Sequence, residues 1–365
     1  MGLKCGIVGL PNVGKSTLFN LLSNAKAQSA NFPFCTIEPN IGVITVPDNR
    51  LNQLSALVNP ENVVPATVDI VDIAGLVKGA SKGEGLGNKF LANIRETDAI
   101  IHVIRCFVDD NIVHVDGDIN PIRDKETIDF ELQLKDLESI EKKLERTKRA
   151  ASTGDKDAIK VLATLNSYKL HLESGQPART APVEKDQKAA VEDVFLLTDK
   201  PVLYVCNVDE QSILKGNSFT NQVADIAKSE GAEMLIVAAK LEAEIGELED
   251  PEERTMFLED AGLSEPGVNK LIASAYKLLN LATYFTAGVK EVRAWTIHNG
   301  MTAPEAAGVI HTDFQKGFIK AEVIKMNDFI SLGSEQACKD KGKMSMEGKE
   351  YIVHDGDIMN FKFNV

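Results

Sequence analysis

The sequence predicts an α/β protein with a mostly parallel sheet, a helical insertion and a small α+β domain at the carboxyl end. Three observations support this prediction. Short apolar runs rich in β-branched residues alternate with helical patterns through the first third of the 365-residue chain, which is typical of a parallel sheet covered by helices. A long stretch without Gly or Pro then carries apolar residues at helical spacing. The last part returns to short strands separated by turns.

Residues 1–121 carry the first part of the predicted sheet. The apolar runs in this region are short and β-branched, as strands buried on both faces require. The predicted strands are Leu3–Val8, Thr67–Ile73 and Ala99–Cys106, and the predicted helices are Lys15–Ser23 and Lys89–Thr97. The sheet resumes in residues 201–280, with strands at Pro201–Cys206 and Met234–Ala238. We therefore assign residues 1–121 and 201–280 to one domain.

A helical coiled-coil insertion, residues 122–200, separates the two parts of that domain. No Gly or Pro occurs from residue 124 to residue 149, and apolar residues recur there at coiled-coil spacing. Gly154 and Asp155 end this helix, and Ala158–Leu172 is predicted to return antiparallel to it. The apolar positions of the first helix are Phe130, Leu134, Leu137 and Leu144.

The last domain, residues 281–365, is predicted to be a small α+β domain with one helical stretch at Pro304–Ile310. Its predicted strands are Glu291–Ile297, Phe318–Ile324, Tyr351–Val353 and Ile358–Phe363. Trp295 is predicted to belong to the core, with a platform for base stacking as the alternative. His311 and Asp313 are predicted to fix a turn.

The composition argues against several classes of protein. The net charge of −14 argues against a basic protein that coats nucleic acid, and no DNA binding is predicted. The five cysteines form no C-x-x-C pair and no zinc spacing, which fits a reducing compartment, and Cys338 is expected to be exposed among charged residues. No apolar run approaches the roughly 20 residues of a membrane helix, and the first apolar run does not read as a secretory signal. We therefore expect a cytoplasmic protein without a membrane partner.

The segment Gly9-Leu-Pro-Asn-Val-Gly14-Lys15-Ser16 matches the pattern G-x-x-x-x-G-K-S and lies between a predicted strand and a predicted helix. Glycines let the backbone curl so that successive N–H groups point at phosphate oxygens, and the helix N-terminus adds its dipole. Lys15 is expected to reach the β- and γ-phosphates as a catalytic residue, and the Ser16 hydroxyl is expected to bind Mg²⁺. The residues predicted to contact the nucleotide here are Asn12, Val13, Gly14, Lys15, Ser16 and Thr17.

Two downstream segments carry the remaining parts of a predicted nucleotide switch. Thr36 lies among loop-forming residues and is the candidate second Mg²⁺ ligand. Asp72 ends a strand in the pattern D-x-x-G and can hold Mg²⁺ through water, while the Gly75 N–H can sense the γ-phosphate. Five glycines between residues 75 and 87 are expected to give that segment the mobility of a switch, with a plain surface loop as the alternative.

Leu76 stands where many GTPases have the Gln that orients the attacking water. An alkyl side chain cannot hydrogen-bond a water molecule, so hydrolysis is expected to be slow or to need another group. His114, in an acidic loop, could supply that group, with an ordinary loop histidine as the alternative. The amide oxygen of Asn12 could instead help to bind a monovalent cation such as K⁺ beside the phosphates.

Asn207-Val208-Asp209-Glu210 occupies the place of the N-K-x-D motif with which guanine-selective proteins read the base. The Asn is present, but Val replaces the Lys and the longer Glu replaces the Asp. Moving a carboxylate by about 1.5 Å breaks the bidentate bond to guanine, because hydrogen bonds weaken steeply with distance and angle. Ala239 is expected to lie on the other side of the base. The sequence therefore favours ATP, with GTP as a weaker ligand.

With these residues, the chain resembles the YchF subfamily of Obg-like P-loop proteins, the Obg-like ATPases. The resemblance covers essentially the whole chain and rests on long, specific motifs. These motifs are Gly9–Ser16, Asn31–Asn40, Asp72–Phe90, Asn207–Glu210, Thr286–Thr296 and His311–Phe318.

The resemblance implies an Obg-type G domain, a coiled-coil arm and a C-terminal TGS domain of ubiquitin-like β-grasp fold. It also implies ATP preference, Mg²⁺ dependence, Leu76 as the hydrophobic substitute for Gln, and association with ribosomes or RNA. The base-contacting positions of the family fall on Asn207 and Val208. Lys240 is a departure, since relatives often carry no Lys there, and it leaves the detailed base contacts open.

A cluster of basic residues near the tip of the arm is the candidate contact to the ribosome, with the large subunit or its RNA as the expected partner. Lys142-Lys-Leu-Glu-Arg146-Thr-Lys-Arg149 places five positive charges in eight residues, which suits a phosphate backbone. A solvated coiled-coil face is the alternative interpretation.

The sequence leaves three functions open. The first is an ATPase whose nucleotide orders Thr36 and the Gly75–Gly87 segment and so changes how the arm and the β-grasp domain meet the ribosome. The second is a non-catalytic ribosome- or RNA-binding module in which the nucleotide is a structural ligand. The third is a GTP-specific switch. Self-association is not determined by the sequence, and a monomer is expected.

Overall fold

The computed structural model of the protein describes residues 3–28, 41–73, 86–115 and 117–364. The chain forms two compact units. The first consists of Met1–Gly42 and Asp69–Leu271, and the second of Val43–Val68 and Ile272–Val365. Within the described ranges, no helix is both long enough and apolar enough to span a bilayer.

A six-stranded sheet forms the centre of the first unit. Its strands are β1 (Lys4–Val8), β2 (Ile41–Thr45), β4 (Thr67–Asp72), β5 (Ala99–Arg105), β6 (Val202–Asn207) and β7 (Glu233–Val237). The strand order is β2-β4-β1-β5-β6-β7, and β1 pairs in parallel with β4 and β5, as β6 does with β5 and β7. Every residue of β5 and β6 is buried, which explains why both strands read as continuous apolar runs.

Helices connect these strands, so the predicted alternation of strand and helix is confirmed. Outside the arm, the described helices of residues 1–42 and 69–278 are α1 (Lys15–Gln28), α3 (Leu86–Arg95), α6 (Lys185–Ala189), α7 (Ser218–Glu230), α8 (Ala239–Glu247), α9 (Pro251–Asp260) and α10 (Gly267–Leu278). Helix α1 begins directly after the loop that follows β1, which is the arrangement that a phosphate loop requires.

The predicted helical hairpin, called the arm below, consists of α4 (Pro121–Ser152) and α5 (Lys156–Glu173). Ile140 and Leu144 of α4 lie in one buried cluster with Leu165, Tyr168 and Leu172 of α5. The arm therefore has the antiparallel seam that the helical spacing predicted.

Phe130 does not belong to that seam, although its spacing suggested so. Its side chain is 58% exposed. Gln133 Nε2 donates to the Gly175 carbonyl oxygen at 3.1 Å, so the chain that follows α5 passes α4 near Gln133. Phe130 lies before this point on α4, so it fits the apolar repeat without belonging to the α4–α5 seam.

A buried ion-pair network lies at the base of the arm. Lys125 Nζ pairs with Asp129 Oδ2 at 2.7 Å and also with Glu230 at the end of α7. Arg179 Nη2 pairs with Glu230 Oε2 at 2.6 Å, and the Tyr204 hydroxyl donates to the same oxygen at 2.8 Å. The four charged side chains are only 7–12% exposed. The network thus links the first turns of α4 to β6 and α7.

The second unit contains a mixed six-stranded sheet. Its strands are β3 (Asn62–Val64), β8 (Leu281–Ala287), β9 (Glu291–His298), β10 (Phe318–Lys325), β11 (Met344–Glu347) and β12 (Asp357–Phe363). The order is β11-β10-β12-β8-β9-β3, with parallel pairing for β12–β8 and β3–β9 and antiparallel pairing for β8–β9, β10–β11 and β10–β12. The helices after β9 are α11 (Ala303–Ile310), α12 (Thr312–Lys316), α13 (Met326–Leu332) and α14 (Glu335–Asp340). The predicted α+β character is confirmed.

Several details of this unit can be compared with the sequence prediction. Trp295 packs against the buried core cluster, and His311 Nδ1 accepts a hydrogen bond from the Asp313 N–H at 3.2 Å, so the core and turn assignments hold. The strand predicted at Tyr351–Val353 is wrong, since only a single bridge forms there. The prediction for Cys338 is also wrong, because its side chain is fully buried on α14. A helix turns adjacent residues to different faces, so charged neighbours do not make a position exposed.

Residues 43–68 belong to the second unit, whereas the sequence prediction grouped them with residues 1–121. Apart from parts of β2 and β4, they form α2 (Asn49–Val58) and β3, which pairs in parallel with β9 at the edge of the sheet. Arg50 Nη1 also donates to Asp355 Oδ2 at 2.6 Å, and its guanidinium carbon lies 5.4 Å from the centroid of the Phe285 ring. These contacts join residues more than 200 positions apart, so a local pattern could not reveal them.

Candidate functional site

The loop between β1 and α1 has the close backbone packing that its pattern requires. A Cβ atom on Gly9 would lie 2.9 Å from the Val103 carbonyl oxygen, and one on Gly14 would lie 2.2 Å from the Asn207 Nδ2. Gly14 also has a φ of +93°, which glycine adopts without a steric penalty. Both positions therefore need glycine for the loop to close.

Lys15 opens α1 and Asp72 ends β4, and their side chains form an ion pair. The parallel register of β1 and β4 sets Ile7 opposite Asp72, which places the carboxylate beside the loop that follows β1. Lys15 is only 9% exposed, whereas the neighbouring Ser16 is exposed. The structure thus brings together the lysine that the sequence assigned to the phosphates and the carboxylate that it assigned to Mg²⁺.

The side chains at this point are suited to Mg²⁺. The Ser16 hydroxyl and the Asp72 carboxylate offer the hard oxygen ligands that this ion prefers. In the described part of the chain, no group of three or more His, Cys, Asp or Glu residues could hold a metal ion by itself. Mg²⁺ at this site would therefore share its coordination with phosphate oxygens and water, as it usually does. The other predicted switch residues, Thr36, Gly75 and Leu76, lie outside the described residues.

Asn207, at the end of β6, joins the phosphate loop to the start of α8. Its Nδ2 donates to the Val13 carbonyl oxygen at 2.9 Å, and its Oδ1 accepts from the Ala239 N–H at 3.0 Å. Asn207 is 6% exposed and Val208 is 4% exposed. The residues that the sequence placed around the base are thus connected, and a direct contact of Asn207 with the base remains a prediction.

The two acidic residues that follow Val208 lie in a short turn after β6. Asp209 Oδ1 accepts from the Ser212 N–H at 3.0 Å and caps a short 3₁₀ turn at Glu210–Ser212. Glu210 itself is exposed. The shorter of the two carboxylates is therefore engaged with the backbone of its own turn.

The loop after β5 reaches the phosphate loop. Asn12 has a φ of +65°, a conformation that Asn tolerates better than most residues, and its Nδ2 donates to the Val113 carbonyl oxygen at 3.1 Å. The neighbouring His114 is 6% exposed, and its Nε2 lies 2.8 Å from Asp124 Oδ2 at the start of α4. The predicted catalytic histidine is thus held by the arm, and any action on a phosphate would require this bond to break.

The carboxyl group that holds His114 is in an unusual environment. Burial raises the pKa of Asp124, and the hydrogen bond to His114 opposes that effect. Asp124 is 2% exposed, so its charge is expensive to maintain without a polar partner. The His114–Asp124 pair is therefore a stable contact of this conformation.

Sequence reasoning missed Arg105 and Asp124. Arg105 is 1% exposed, and its guanidinium donates to the carbonyl oxygens of Phe107, Asp109 and Ile112. A signal for Arg105 was present, because a charged residue inside an otherwise apolar strand needs buried partners. Asp124 had no such signal, since an acidic residue in the first turn of a helix is ordinary.

The fold and the site together define a P-loop nucleotide-binding protein. Its marks are a parallel sheet, a glycine-formed loop after the first strand and a lysine at the start of the following helix. Family comparison agrees with this class. Residues 4–166 match the family described as "50S ribosome-binding GTPase", and residues 281–364 match the family described as "Protein of unknown function (DUF933)".

Comparison with individual proteins narrows the class to one family. The chain is 57% identical over 365 residues to a protein of Haemophilus ducreyi and 53% identical over 367 residues to one of Bacillus subtilis, both named "Ribosome-binding ATPase YchF". Each match covers 100% of both chains. The solved structure titled "Structure of the Schizosaccharomyces pombe YchF GTPase" matches with a TM-score of 0.89 at 38% identity, over 99% of this chain and 98% of that one. The chain belongs to the YchF family, as the resemblance of its motifs predicted.

Proposed function

We propose that this chain is a ribosome-associated ATPase that hydrolyses ATP to ADP and phosphate as a nucleotide-dependent switch. The observation that carries the proposal is the Lys15–Asp72 pair beside a phosphate loop that only glycine at positions 9 and 14 allows. The names of the bacterial relatives support both the ATPase activity and the ribosome as partner. Phosphate release from ATP by the purified protein, compared with the Lys15→Ala variant, tests the activity, and equal rates for the two would contradict it.

The preference for ATP is supported by the base motif. Val208 is buried where a guanine-selective protein carries Lys, and the exposed Glu210, one methylene longer, stands where such a protein carries the Asp that binds guanine. Guanine would therefore lack its carboxylate partner, whereas adenine needs none. Competition of ATP and GTP for the purified protein is the decisive measurement. Displacement of ATP by a lower concentration of GTP would instead favour the GTP-specific switch.

Mg²⁺ is proposed to be held by Ser16, by Thr36 and, through water, by Asp72. When bound, Mg²⁺ would neutralise negative charge on the phosphate oxygens. Lys15 adds a second positive charge from the start of α1, where the helix dipole also favours an anion. Gly75 is proposed to sense the γ-phosphate through its N–H. Loss of turnover on addition of a chelator, with recovery on addition of Mg²⁺, checks that turnover depends on this ion.

Slow, partner-stimulated hydrolysis follows from the absence of a water-orienting Gln at Leu76. We propose that ribosome binding frees His114 from Asp124, so that its ring can assist the attacking water. A bound K⁺ ion, held by the amide oxygen of Asn12, is the second candidate, because the Nδ2 bond to Val113 fixes the plane of that amide. Turnover of His114→Ala with and without ribosomes tests the first, and replacement of K⁺ by Na⁺ tests the second.

The arm is proposed to contact the large ribosomal subunit or its RNA. Four of the five basic residues near the arm tip are exposed, namely Lys142, Arg146, Lys148 and Arg149. Lys142 pairs with Glu138 and Lys143 pairs with Asp193, so part of the cluster is engaged within the protein. The exposed residues suit a phosphate backbone. We further propose that the protein is cytoplasmic and monomeric. Light scattering on the purified protein would check its oligomeric state.

A non-catalytic ribosome- or RNA-binding module is the second candidate function, and Leu76 favours it. In that case the nucleotide would only stabilise the fold. Measurement of ATP turnover with and without ribosomes separates the two. A rate that ribosomes leave unchanged would contradict the switch and support the module.

A further inference from the structure

A buried arginine organises the loop that covers the phosphate loop. Arg105 is the last residue of β5 and is 1% exposed. Its Nε donates to the Phe107 carbonyl oxygen at 3.2 Å, its Nη1 to that of Ile112 at 3.0 Å and its Nη2 to that of Asp109 at 3.2 Å. The guanidinium carbon also lies 4.6 Å from the centroid of the Phe107 ring. All three kinds of guanidinium nitrogen therefore bind one short segment, residues 107–112.

Burying the guanidinium of Arg105 costs free energy, which argues that this arginine has a specific role. A buried charge is normally paired with an opposite charge, yet the hydrogen bonds of the Arg105 guanidinium go to backbone carbonyl groups, and the carboxylates of Asp109 and Asp124 act on it only as nearby charges. Burial lowers the pKa of this group. Lysine could not replace it, because only the planar fork offers donors in three fixed directions. The geometry of residues 107–112 is thus specified by Arg105.

The segment that Arg105 shapes delivers a backbone carbonyl to the phosphate loop. Val113 follows directly, and its oxygen accepts the hydrogen bond from Asn12 Nδ2 at 3.1 Å. The Val113 side chain is 75% exposed, so its own packing does not hold it there. Its position depends on the residues on either side, Ile112 bound to Arg105 and His114 bound to Asp124.

We propose that Arg105 is a positioning residue for nucleotide turnover, acting through the Val113 carbonyl oxygen on Asn12 of the phosphate loop. The inference rests on the proposed ATPase function for its kinetic consequence, while the coupling itself can be measured without turnover. Asn207 holds the same loop independently at Val13. Release of the Arg105 segment should therefore loosen the phosphate loop around Asn12, while the Asn207 bond still keeps the loop folded.

The first test is kinetic and uses Arg105→Lys, Asn12→Ala and the double variant. We expect Arg105→Lys to lower kcat by about tenfold with KM changed less than about threefold, because a small displacement at a reacting site has effects of this order. Asn12→Ala should have a similar effect, and the double variant should be no worse than the poorer single variant, since both changes break one connection. Independent, multiplicative effects of the two changes would overturn the proposal.

The matched control is Arg179→Lys. Arg179 is another arginine of the same unit, with a side chain only 12% exposed. It also donates to a backbone carbonyl, that of Thr198 at 3.3 Å, but it lies at the base of the arm. The Arg179→Lys variant should lose about as much thermal stability as Arg105→Lys and should keep the kcat of the unchanged protein. If it lowers kcat as much as Arg105→Lys does, the effect of Arg105 is only structural and the proposal fails.

The second test needs no turnover and no nucleotide. Amide hydrogen exchange of Arg105→Lys should increase in residues 107–115 and also in residues 9–14, whereas Arg179→Lys should leave both segments as in the unchanged protein. Increased exchange confined to residues 107–115 would overturn the proposal. If the unchanged protein shows no ATP turnover, the proposed function fails, and this measurement still decides the coupling.

A milder change covers the case in which Arg105→Lys does not fold. Phe107→Leu removes only the ring that faces the guanidinium, a contact worth a few-fold in an equilibrium. It should lower kcat by about threefold and should add nothing in an Asn12→Ala background. A full threefold effect in that background would contradict the proposed route.

Discussion

The two ends of the arm carry the same kinds of charged side chain in opposite surroundings. At the base, Lys125, Asp129, Arg179 and Glu230 are 7–12% exposed and bonded to one another. Near the tip, the pair of Lys142 and Glu138 has side chains that are 65% and 41% exposed, and other cations there are open to solvent. Charge in a low dielectric interacts strongly, whereas solvent screens it at the surface. The base is therefore built to fix the arm, and the tip is available to a partner.

The largest expected effect is at the base. Glu230→Gln should reduce the free energy of unfolding by about 4 kcal/mol, because it leaves buried Lys125 and Arg179 with an uncompensated charge. Chemical denaturation followed by circular dichroism measures this. Asp225→Asn, at an exposed position of the same helix, is the control. A loss for Glu230→Gln no larger than that of the control would mean that the network does not fix the arm.

The second effect comes from a neutral neighbour of this network. Burial lowers the pKa of His102 from 6.5 to about 4, and its ring centroid lies 5.7 Å from that of Tyr204. The unfolded chain takes up this proton near pH 6.5 and the folded chain near pH 4. The stability that His102 contributes above pH 6.5 is therefore lost as pH falls through that window, by at most about 3 kcal/mol. The charged groups that face His102 are Asp129, Lys125, Arg179 and Glu230.

A comparison with His102→Gln isolates this contribution. Asp136 has the opposite sign, because burial raises the pKa of its carboxyl group to about 6 and its protonation favours the folded state as pH falls. Subtracting the free energy of unfolding of the variant from that of the unchanged protein at each pH cancels the contribution of Asp136. The difference in stability between the two proteins should shrink from pH 7 to pH 4. A difference that is the same at all pH values would show that His102 is not held neutral.

The smallest effect on stability, and the largest on binding, is expected at the tip. Exchange of Arg146 and Arg149 to Glu should change the free energy of unfolding by no more than about 0.5 kcal/mol, as surface substitutions usually do. Co-sedimentation with ribosomes should weaken, and its dependence on salt should become less steep because fewer phosphates are neutralised. Lys215→Glu with Lys228→Glu, two exposed lysines elsewhere in the unit, is the control. Equal loss of binding in both double variants would point to net charge rather than to the arm tip.

Much of the fold could be predicted because it follows from local pattern. The apolar runs of β5 and β6, the helical spacing of α4 and the turn between α4 and α5 each lie within a few consecutive residues. The errors arose at residues whose local sequence pattern does not match their surroundings in the folded protein. Phe130 fits the helical repeat but does not belong to the α4–α5 seam, and Cys338 has charged neighbours in sequence but a buried face in the helix.

The candidate site shows the same division. The sequence assigned Lys15 to the phosphates and Asp72 to Mg²⁺, and the structure pairs these two side chains beside the loop. The environment of His114 was not predicted, because its partner Asp124 lies on the arm and carries no signal of its own. The engagement of Asn207 with Val13 and Ala239 likewise depends on three separate segments.

The sequence by itself determined the phosphate loop and its neighbours, because the strand, the glycine turn and the helix start all lie within residues 4–16. It also determined the family, through motifs of the same local kind. Only the tertiary structure decided that Arg105 shapes the loop over Asn12, and that residues 43–68 complete the sheet of the second unit. The Asn12–Val113 bond and the β3–β9 pairing join distant parts of the chain, and they form only when packing brings their groups within hydrogen-bonding distance.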